Sequence, residues 1–266
     1  SECPYASEEA KAILGAAAEP PIRTVNVGPE GKGFASGGET VMFRHEKTFV
    51  NQTGLGLAVD DSTDDAEIER RVQALAAYKL ERVGQELRAD LVSVACRSGS
   101  ADRFLAAIEK VAGAWDGAIA ARTEDPALLK AAAEKLRGRR PLLASATPAT
   151  VGELIEAAKA TGSVLALAAD NFDELVSMSE KAREADFRDV FLELRADSLC
   201  EHVQNATIAR RGALKAGLKS LGYPMLRYID TGNAIDDALE AGVDIAKYGA
   251  LVVLPEFDPA AWVSLL

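Results

Sequence analysis

The chain has 266 residues, 48% hydrophobic, 27% charged and 6% aromatic, which excludes a disordered chain, a collagen-like repeat and a disulfide-stapled miniprotein. Thirty lysines and arginines against forty-one aspartates and glutamates leave a net charge of −11, the wrong sign for sequence-independent nucleic-acid binding. Three scattered cysteines (Cys3, Cys96, Cys200) and two histidines (His45, His202) offer neither a zinc ribbon nor a disulfide framework. With no apolar run of about 18 residues and no basic-then-apolar leader, the expectation is a cytoplasmic α/β protein without membrane contact.

In chain order, residues 1–54 read as a leader and residues 55–266 as a barrel. Glu8 to Ala18 has the composition of a short alanine-rich helix, broken by Pro20-Pro21. Two β-rich runs follow, Ile22 to Val27 and Glu39 to Val50. The glycine-rich stretch between them, Gly28 to Gly33 and then Gly37-Gly38, reads as the turn and loop of a hairpin closing one end of the barrel. Gly31-Lys32-Gly33 lacks both Walker spacing and a following helix, so it reads as a turn.

From Gly54 onward, apolar runs of strand length alternate with amphipathic segments. The runs are Gly54 to Asp60, Asp90 to Cys96, Gly117 to Arg122, Pro141 to Thr147, Ser163 to Asp170, Asp189 to Ala196, Pro224 to Asp230 and Gly249 to Leu254. Most are continuously apolar, as strands covered on both faces must be. The clearest helical spacing joins Ile68, Val72, Leu75, Ala76, Leu80, Val83 and Leu87. Thr150 with Glu153, and Asn171 with Glu174, read as capping boxes. Eight strands separated by helices predict a (β/α)8 TIM barrel with an N-terminal β-hairpin extension. A dinucleotide fold is disfavoured, because the first βα turn, Asp60 to Asp65, is acidic, lacks glycine and would repel a pyrophosphate.

Such a barrel carries its chemistry at the C-terminal strand ends. Those ends present Asp60, Arg97 with Ser98, Arg122, Thr147, Asp170 with Asn171, Arg195 and Asp230, which include no histidine and no nucleophile with an activating partner. Asp170 and Asn171 are equally explained as a helix cap. Glu193 and Arg195 share one strand face, with Arg227 in the next strand and Lys247 before the last. If that face points inward, these four charges form either an ion-pair cluster filling the barrel or an anion-binding pocket. His45 reads as an exposed or satisfied strand histidine, and Cys96 as a small core hydrophobe. His202 reads as a cap or surface residue, because helical positions two apart, as in Cys200-Glu201-His202, diverge.

Three stretches carry a family resemblance. They are Cys3-Pro4-Tyr5-Ala6-Ser7-Glu8-Glu9-Ala10-Lys11, the run Gly38-Glu39-Thr40-Val41-Met42-Phe43-Arg44-His45-Glu46-Lys47-Thr48-Phe49, and Ala209 to Lys215 with Gly222-Tyr223-Pro224. Together they resemble the central barrel region of the large (gamma) subunit of the corrinoid iron–sulfur protein of CO dehydrogenase/acetyl-CoA synthase. The resemblance implies a subunit with an N-terminal [4Fe–4S] domain, a central (β/α)8 barrel and a C-terminal corrinoid (cobalamin) domain. It also implies partners: a small subunit, a methyltetrahydrofolate-dependent methyltransferase, and acetyl-CoA synthase, which receives the methyl group in the reductive acetyl-CoA pathway.

Under that resemblance, residues 1–54 are the end of the iron–sulfur domain, a linker and the hairpin, and Cys3 is similar to the fourth cluster ligand. The other three ligands are absent from the chain, and no corrinoid domain follows the eighth strand, so neither cofactor is expected on this chain alone. Where the family tends to have an Asp-Pro-Gly turn, this sequence reads Glu193-Leu194-Arg195-Ala196-Asp197. The expected role is a scaffold and interaction domain without turnover of its own. The alternative is a stand-alone pterin-binding methyltransferase-like barrel enzyme, using Asp60, Asp170, Asn171, Arg195 and Asp230 at its mouth. A third reading makes Lys247 the Schiff-base lysine of an aldolase.

Overall fold

The computed structural model describes residues 7, 19–46 and 50–266. Cys3 and the expected Glu8–Ala18 helix lie outside the described residues. The described chain begins its regular structure with two short strands, β1 (Val25–Val27) and β2 (Phe34–Ser36), paired antiparallel. The barrel strands follow as β3 (Gly54–Asp60), β6 (Leu91–Ala95), β7 (Ala118–Arg122), β8 (Leu142–Ala146), β9 (Val164–Ala169), β10 (Val190–Leu194), β11 (Met225–Tyr228) and β12 (Gly249–Leu254). Two further short strands, β4 (Leu80–Arg82) and β5 (Gln85–Leu87), form a second hairpin outside the barrel.

Helices alternate with the barrel strands: α1 (Asp65–Ala77), α2 (Ala101–Ala114), α3 (Pro126–Lys135), α4 (Val151–Thr161), α5 (Phe172–Glu184), α6 (Leu199–Lys215), α7 (Ala234–Lys247) and the single turn α8 (Pro259–Trp262). The eight barrel strands are all parallel and close in the order β10-β11-β12-β3-β6-β7-β8-β9. The closed (β/α)8 barrel expected from the alternating pattern is thus the observed fold.

Strand alternation sorts the apolar residues into two concentric shells. Leu57, Val59, Val92, Val94, Ile119, Leu165, Leu167 and Leu192 pack outward against Ile68, Val72, Phe104, Ile108, Leu129 and Leu175 of the helices. Among the described residues the inner shell is built from strands: Leu91, Ala118, Ala120, Leu142, Val164, Ala166, Phe191, Leu226, Leu251 and Val253 pack with one another, with Ala58 and Tyr228, and with the first hairpin. Each fully buried Leu, Ile, Val or Phe contributes about 1.5–3 kcal/mol over exposure, which is why both strand faces had to be apolar.

The first hairpin plugs the N-terminal end of the barrel. Val25 and Val27 join the inner shell, the Gly28 N–H donates to the Arg140 carbonyl (3.0 Å), and the Ser36 hydroxyl donates to the Ala250 carbonyl (2.8 Å). Phe34 lies across Gly54, where a Cβ would come within 2.5 Å of its ring.

Several local expectations are corrected. The second hairpin arm is Phe34–Ser36, inside the glycine-rich stretch, and not the Glu39 to Val50 run. The described part of that run holds bends and a single 3-10 turn, Arg44–Glu46, the place beside β1 being taken by Phe34–Ser36. His45 therefore sits on a turn, not a strand. The helical spacing through Leu80, Val83 and Leu87 also stops short: α1 ends at Ala77, and Val83 (φ 50°) with Gly84 (φ 77°) makes the two-residue turn between β4 and β5. Asn171 caps α5 by accepting from the Glu174 N–H (2.9 Å), whereas Thr150 makes no such cap and accepts instead from the Thr147 N–H (3.0 Å).

Candidate functional site

The inward positions turn from apolar to polar toward the C-terminal ends of the strands. On β10 the alternation that buries Phe191 carries Glu193 and then Arg195 up the same inner face. Glu193 is 5% exposed and its Oε2 accepts from the Ser145 hydroxyl (2.9 Å). Ser145 reaches it where β8 shifts register between Leu143 and Ala146, a local bulge that re-aims a side chain. Arg122, from the end of β7, approaches Glu193 Oε1 to 3.6 Å. Burial pushes the Glu193 carboxyl upward against the pull of Arg122 and Ser145.

Arg122 is itself held from below. Its guanidinium carbon lies 3.6 Å from the ring centroid of Tyr228, a cation–π contact, and the Tyr228 hydroxyl hydrogen-bonds Ser93 (3.1 Å). Burial raises the Tyr228 phenol to about 12, so it stays neutral at any physiological pH. At the rim, Arg195 pairs with Glu124 and with Asp170 (3.4 Å). A cleft of about 170 Å³ opens between the upper halves of β10 and β11, bordered by Arg122, Glu193, Arg195, His202, Arg227 and Tyr228. These two strands pair only at Leu192 with Met225, whereas β9 and β10 stay in register from Val190 to Leu194.

Behind the cleft lies a second polar cluster, outside the barrel wall. Arg227 points away from the interior and binds Glu240 and Asp244 (3.1 Å to Oδ2) of α7. Asp244, only 1% exposed, also receives His202 Nε2 at 2.7 Å. His202 is thus a buried partner of Asp244, not a cap or surface residue. Lys247 ends α7 and lies 4.2 Å over the Phe43 ring. The four strand charges do not form one interior cluster: Glu193 and Arg195 face inward, Arg227 faces α7, and Lys247 is elsewhere.

Of the mouth candidates, an ion pair joins Asp170 and Arg195 alone. Asp60 accepts from the Ser62 N–H (2.9 Å), Asn171 is spent as the α5 cap, and Asp230 is exposed. The neighbouring Asp61, 2% exposed, accepts from the Arg97 N–H (2.7 Å), the Ser98 N–H (2.8 Å) and the Ser98 hydroxyl (2.6 Å), knitting the loops after β3 and β6. Sequence reasoning passed over Ser93, Ser145 and Tyr228. For Tyr228 the signal was present: it stands one position from Arg227 and two from the apolar Leu226, so parity puts it on the opposite face from the arginine.

The described residues hold no ligand set for a [4Fe–4S] cluster. Cys96 is half-buried and Cys200 exposed, and no group of three or more His, Cys, Asp or Glu among the described residues could hold a metal. A [4Fe–4S] cluster takes four thiolates, and the chain has three cysteines. The mouth cleft is smaller than the roughly 300–1,000 Å³ of a drug-sized ligand site and cannot seat a corrin ring.

Fold and mouth define a (β/α)8-barrel protein whose inner strand faces end in a compact, mutually paired polar layer. Solved structures of similar architecture include dihydropteroate synthase from Vibrio fischeri ES114 (TM-score 0.63, 12% identity, 90% of this chain and 95% of that chain). Another is the Coxiella burnetii dihydropteroate synthase in complex with pteroic acid (TM-score 0.59, 10% identity, 91% and 96%). At these identities the likeness shows the fold alone.

The chain belongs to the CO dehydrogenase/acetyl-CoA synthase delta subunit family, whose model matches residues 24–266. It is 31% identical over 252 residues to the corrinoid/iron-sulfur protein large subunit of Moorella thermoacetica, covering 95% of this chain and 56% of that protein. It is also 31% identical over 283 residues to an acetyl-CoA decarbonylase/synthase complex subunit gamma of Methanosarcina mazei, covering 98% of this chain and 60% of that protein. The chain therefore spans little more than half the length of these relatives. Among its described residues, no helix is long and apolar enough to cross a membrane.

Proposed function

We propose that this chain is the barrel portion of a corrinoid iron–sulfur methyl-carrier subunit and that the barrel is a scaffold and interaction domain. In this reading the carrier accepts a methyl group from a methyltetrahydrofolate-type donor through a methyltransferase, and passes it to acetyl-CoA synthase. Its partners are that methyltransferase, a small subunit and the synthase. Residues 1–54 are the end of an iron–sulfur domain with linker and hairpin, and Cys3 is one ligand of a cluster completed by other cysteines.

The observation that carries the scaffold reading is how the family-like run beginning at Gly38 is used. Glu39 pairs with Arg44 in a buried contact (5% and 2% exposed), and Arg44 also donates to the Asn51 carbonyl (2.6 Å). Phe43 packs on Tyr248, and Arg210 of α6 donates to the Val41 carbonyl (3.2 Å). His45 Nδ1 contacts the carbonyl of Ala246 at the C-terminal end of α7 (2.9 Å). The most family-specific residues thus strap α6 to α7, away from the barrel mouth. Methyl transfer to cobalt needs a metal nucleophile and its positioning, which the cofactor and partner proteins supply.

Elemental analysis of the purified chain, with a methyl-transfer assay and calorimetry against methyltetrahydrofolate, tests this reading. Expected are iron and cobalt at trace level, no transfer by the chain alone, and no saturable heat. Stoichiometric cobalt or transfer by the isolated chain would refute the scaffold role. Saturable pterin binding would replace it with the pterin-enzyme reading.

A further inference from the structure

Arg122 stands apart from the other arginines. Every other buried or half-buried arginine of the described residues donates a side-chain hydrogen bond, as Arg139, Arg140, Arg210 and Arg227 do. The Arg122 guanidinium, 34% exposed, makes none among the described residues; it faces Glu193 Oε1 across 3.6 Å. It is nonetheless held in place on the face of Tyr228, which is anchored to Ser93. A guanidinium laid on a ring face keeps its N–H fork free around the edge, the geometry that grips a carboxylate or phosphate with two parallel hydrogen bonds.

That fork borders the cleft opened where β10 and β11 part, with Arg195 on the rim as a second cation. We infer that the barrel mouth is a binding site for a small oxyanion, a carboxylate or phosphate group, seated on Arg122 in the cleft between β10 and β11. The site is additional to the scaffold role and does not depend on it.

The inference carries a proton with it. The groups facing Glu193 are Arg122 of β7, Ser145 of β8, Arg195 of β10, Glu124 of the loop after β7 and Tyr228 of β11, and His202 of α6 and Arg227 of β11, both bound to Asp244, border the same cleft. An anion on Arg122 takes the cation that steadies the Glu193 carboxylate and adds a like charge beside it. Binding therefore favours protonated Glu193 and weakens as pH rises through the ionisation of that group.

The test is titration of the chain with potassium acetate and, separately, inorganic phosphate at constant ionic strength. The readouts are the Arg side-chain Nε–Hε resonances by NMR and calorimetry. Expected is a saturable shift of the Arg122 resonance, tightening as pH falls. Arg122→Gln should weaken binding about tenfold or more. Arg97→Gln, at an exposed arginine outside the cleft, should leave it intact, and Glu193→Gln should keep binding with only the pH dependence of the probe's own ionisation. Saturation by acetate alone assigns a carboxylate, by phosphate alone a phosphoryl group, and by both the shared oxyanion chemistry. Shifts that fail to saturate and are equal at Arg97 and Arg122 would overturn the inference. That result is read on the unmutated chain, so it stands even if Arg122→Gln does not fold.

Discussion

Asp90 stitches three strands at the N-terminal end of the barrel. Its N–H donates to the Leu55 carbonyl (2.8 Å), its carboxylate accepts the Leu55 N–H (3.0 Å), and its carbonyl accepts the Ala118 N–H (3.1 Å). Burial pushes the carboxyl up to about 6, against the opposing pulls of the Leu55 N–H and Arg88. A folded-state pKa above the unfolded value means the native state binds this proton more tightly. The resulting stabilisation is complete below the unfolded pKa of about 3.9 and is lost as pH rises through about 6. At about 1.4 kcal/mol per unit, the displacement of about two units amounts to about 3 kcal/mol.

Asp90→Asn keeps an acceptor for the Leu55 N–H and cannot ionise, so it should escape this loss. Urea unfolding of both proteins across mildly acidic to mildly basic buffers gives the difference directly. Carboxylates displaced the other way, such as Asp116 held low by its hydrogen bond from Lys32, titrate in both proteins and cancel. The variant should gain up to about 3 kcal/mol on the wild type as pH rises from about 4 to above 6. A difference that stays flat over that range would refute the reasoning.

Two further perturbations test the buried pairs. Asp244→Ala leaves His202 and Arg227 facing a void without their carboxylate and should cost about 3–5 kcal/mol in urea unfolding, while Asp244→Asn costs less. Arg44→Met strands the Glu39 carboxylate in a buried site and should destabilise by a similar ~3–5 kcal/mol. Adding Glu39→Leu to it should recover much of that loss, so a double-mutant cycle showing simple additivity would count against a coupled pair.

Much of the architecture is legible in the sequence. The β3 and β12 runs match the observed strands at both ends, and the other six extend past theirs by one or two residues. Two-sided apolar runs of strand length allow little else, since a strand between helices and a barrel interior must be greasy on both faces. The α1 pattern ran on because Leu80, Val83 and Leu87 fit helical spacing equally well, and only the Val83-Gly84 turn distinguishes a hairpin. The run from Gly38 is a related case: alternation in Phe43-Arg44-His45-Glu46 suits a strand, but Phe34–Ser36 takes the place beside β1.

The number and order of the β/α units can be read along the chain, because periodicity and apolar run length are local properties. The sequence also places Glu193 and Arg195 on one face, since alternation is a property of a single strand. Which face points inward, and which groups meet there, depends on how the sheet closes. Closing the sheet brings Arg122, Ser145 and Tyr228 to Glu193 from three other strands, and turns Arg227 outward to Asp244. Such pairings join residues from separate strands and helices, and no spacing within one run encodes them.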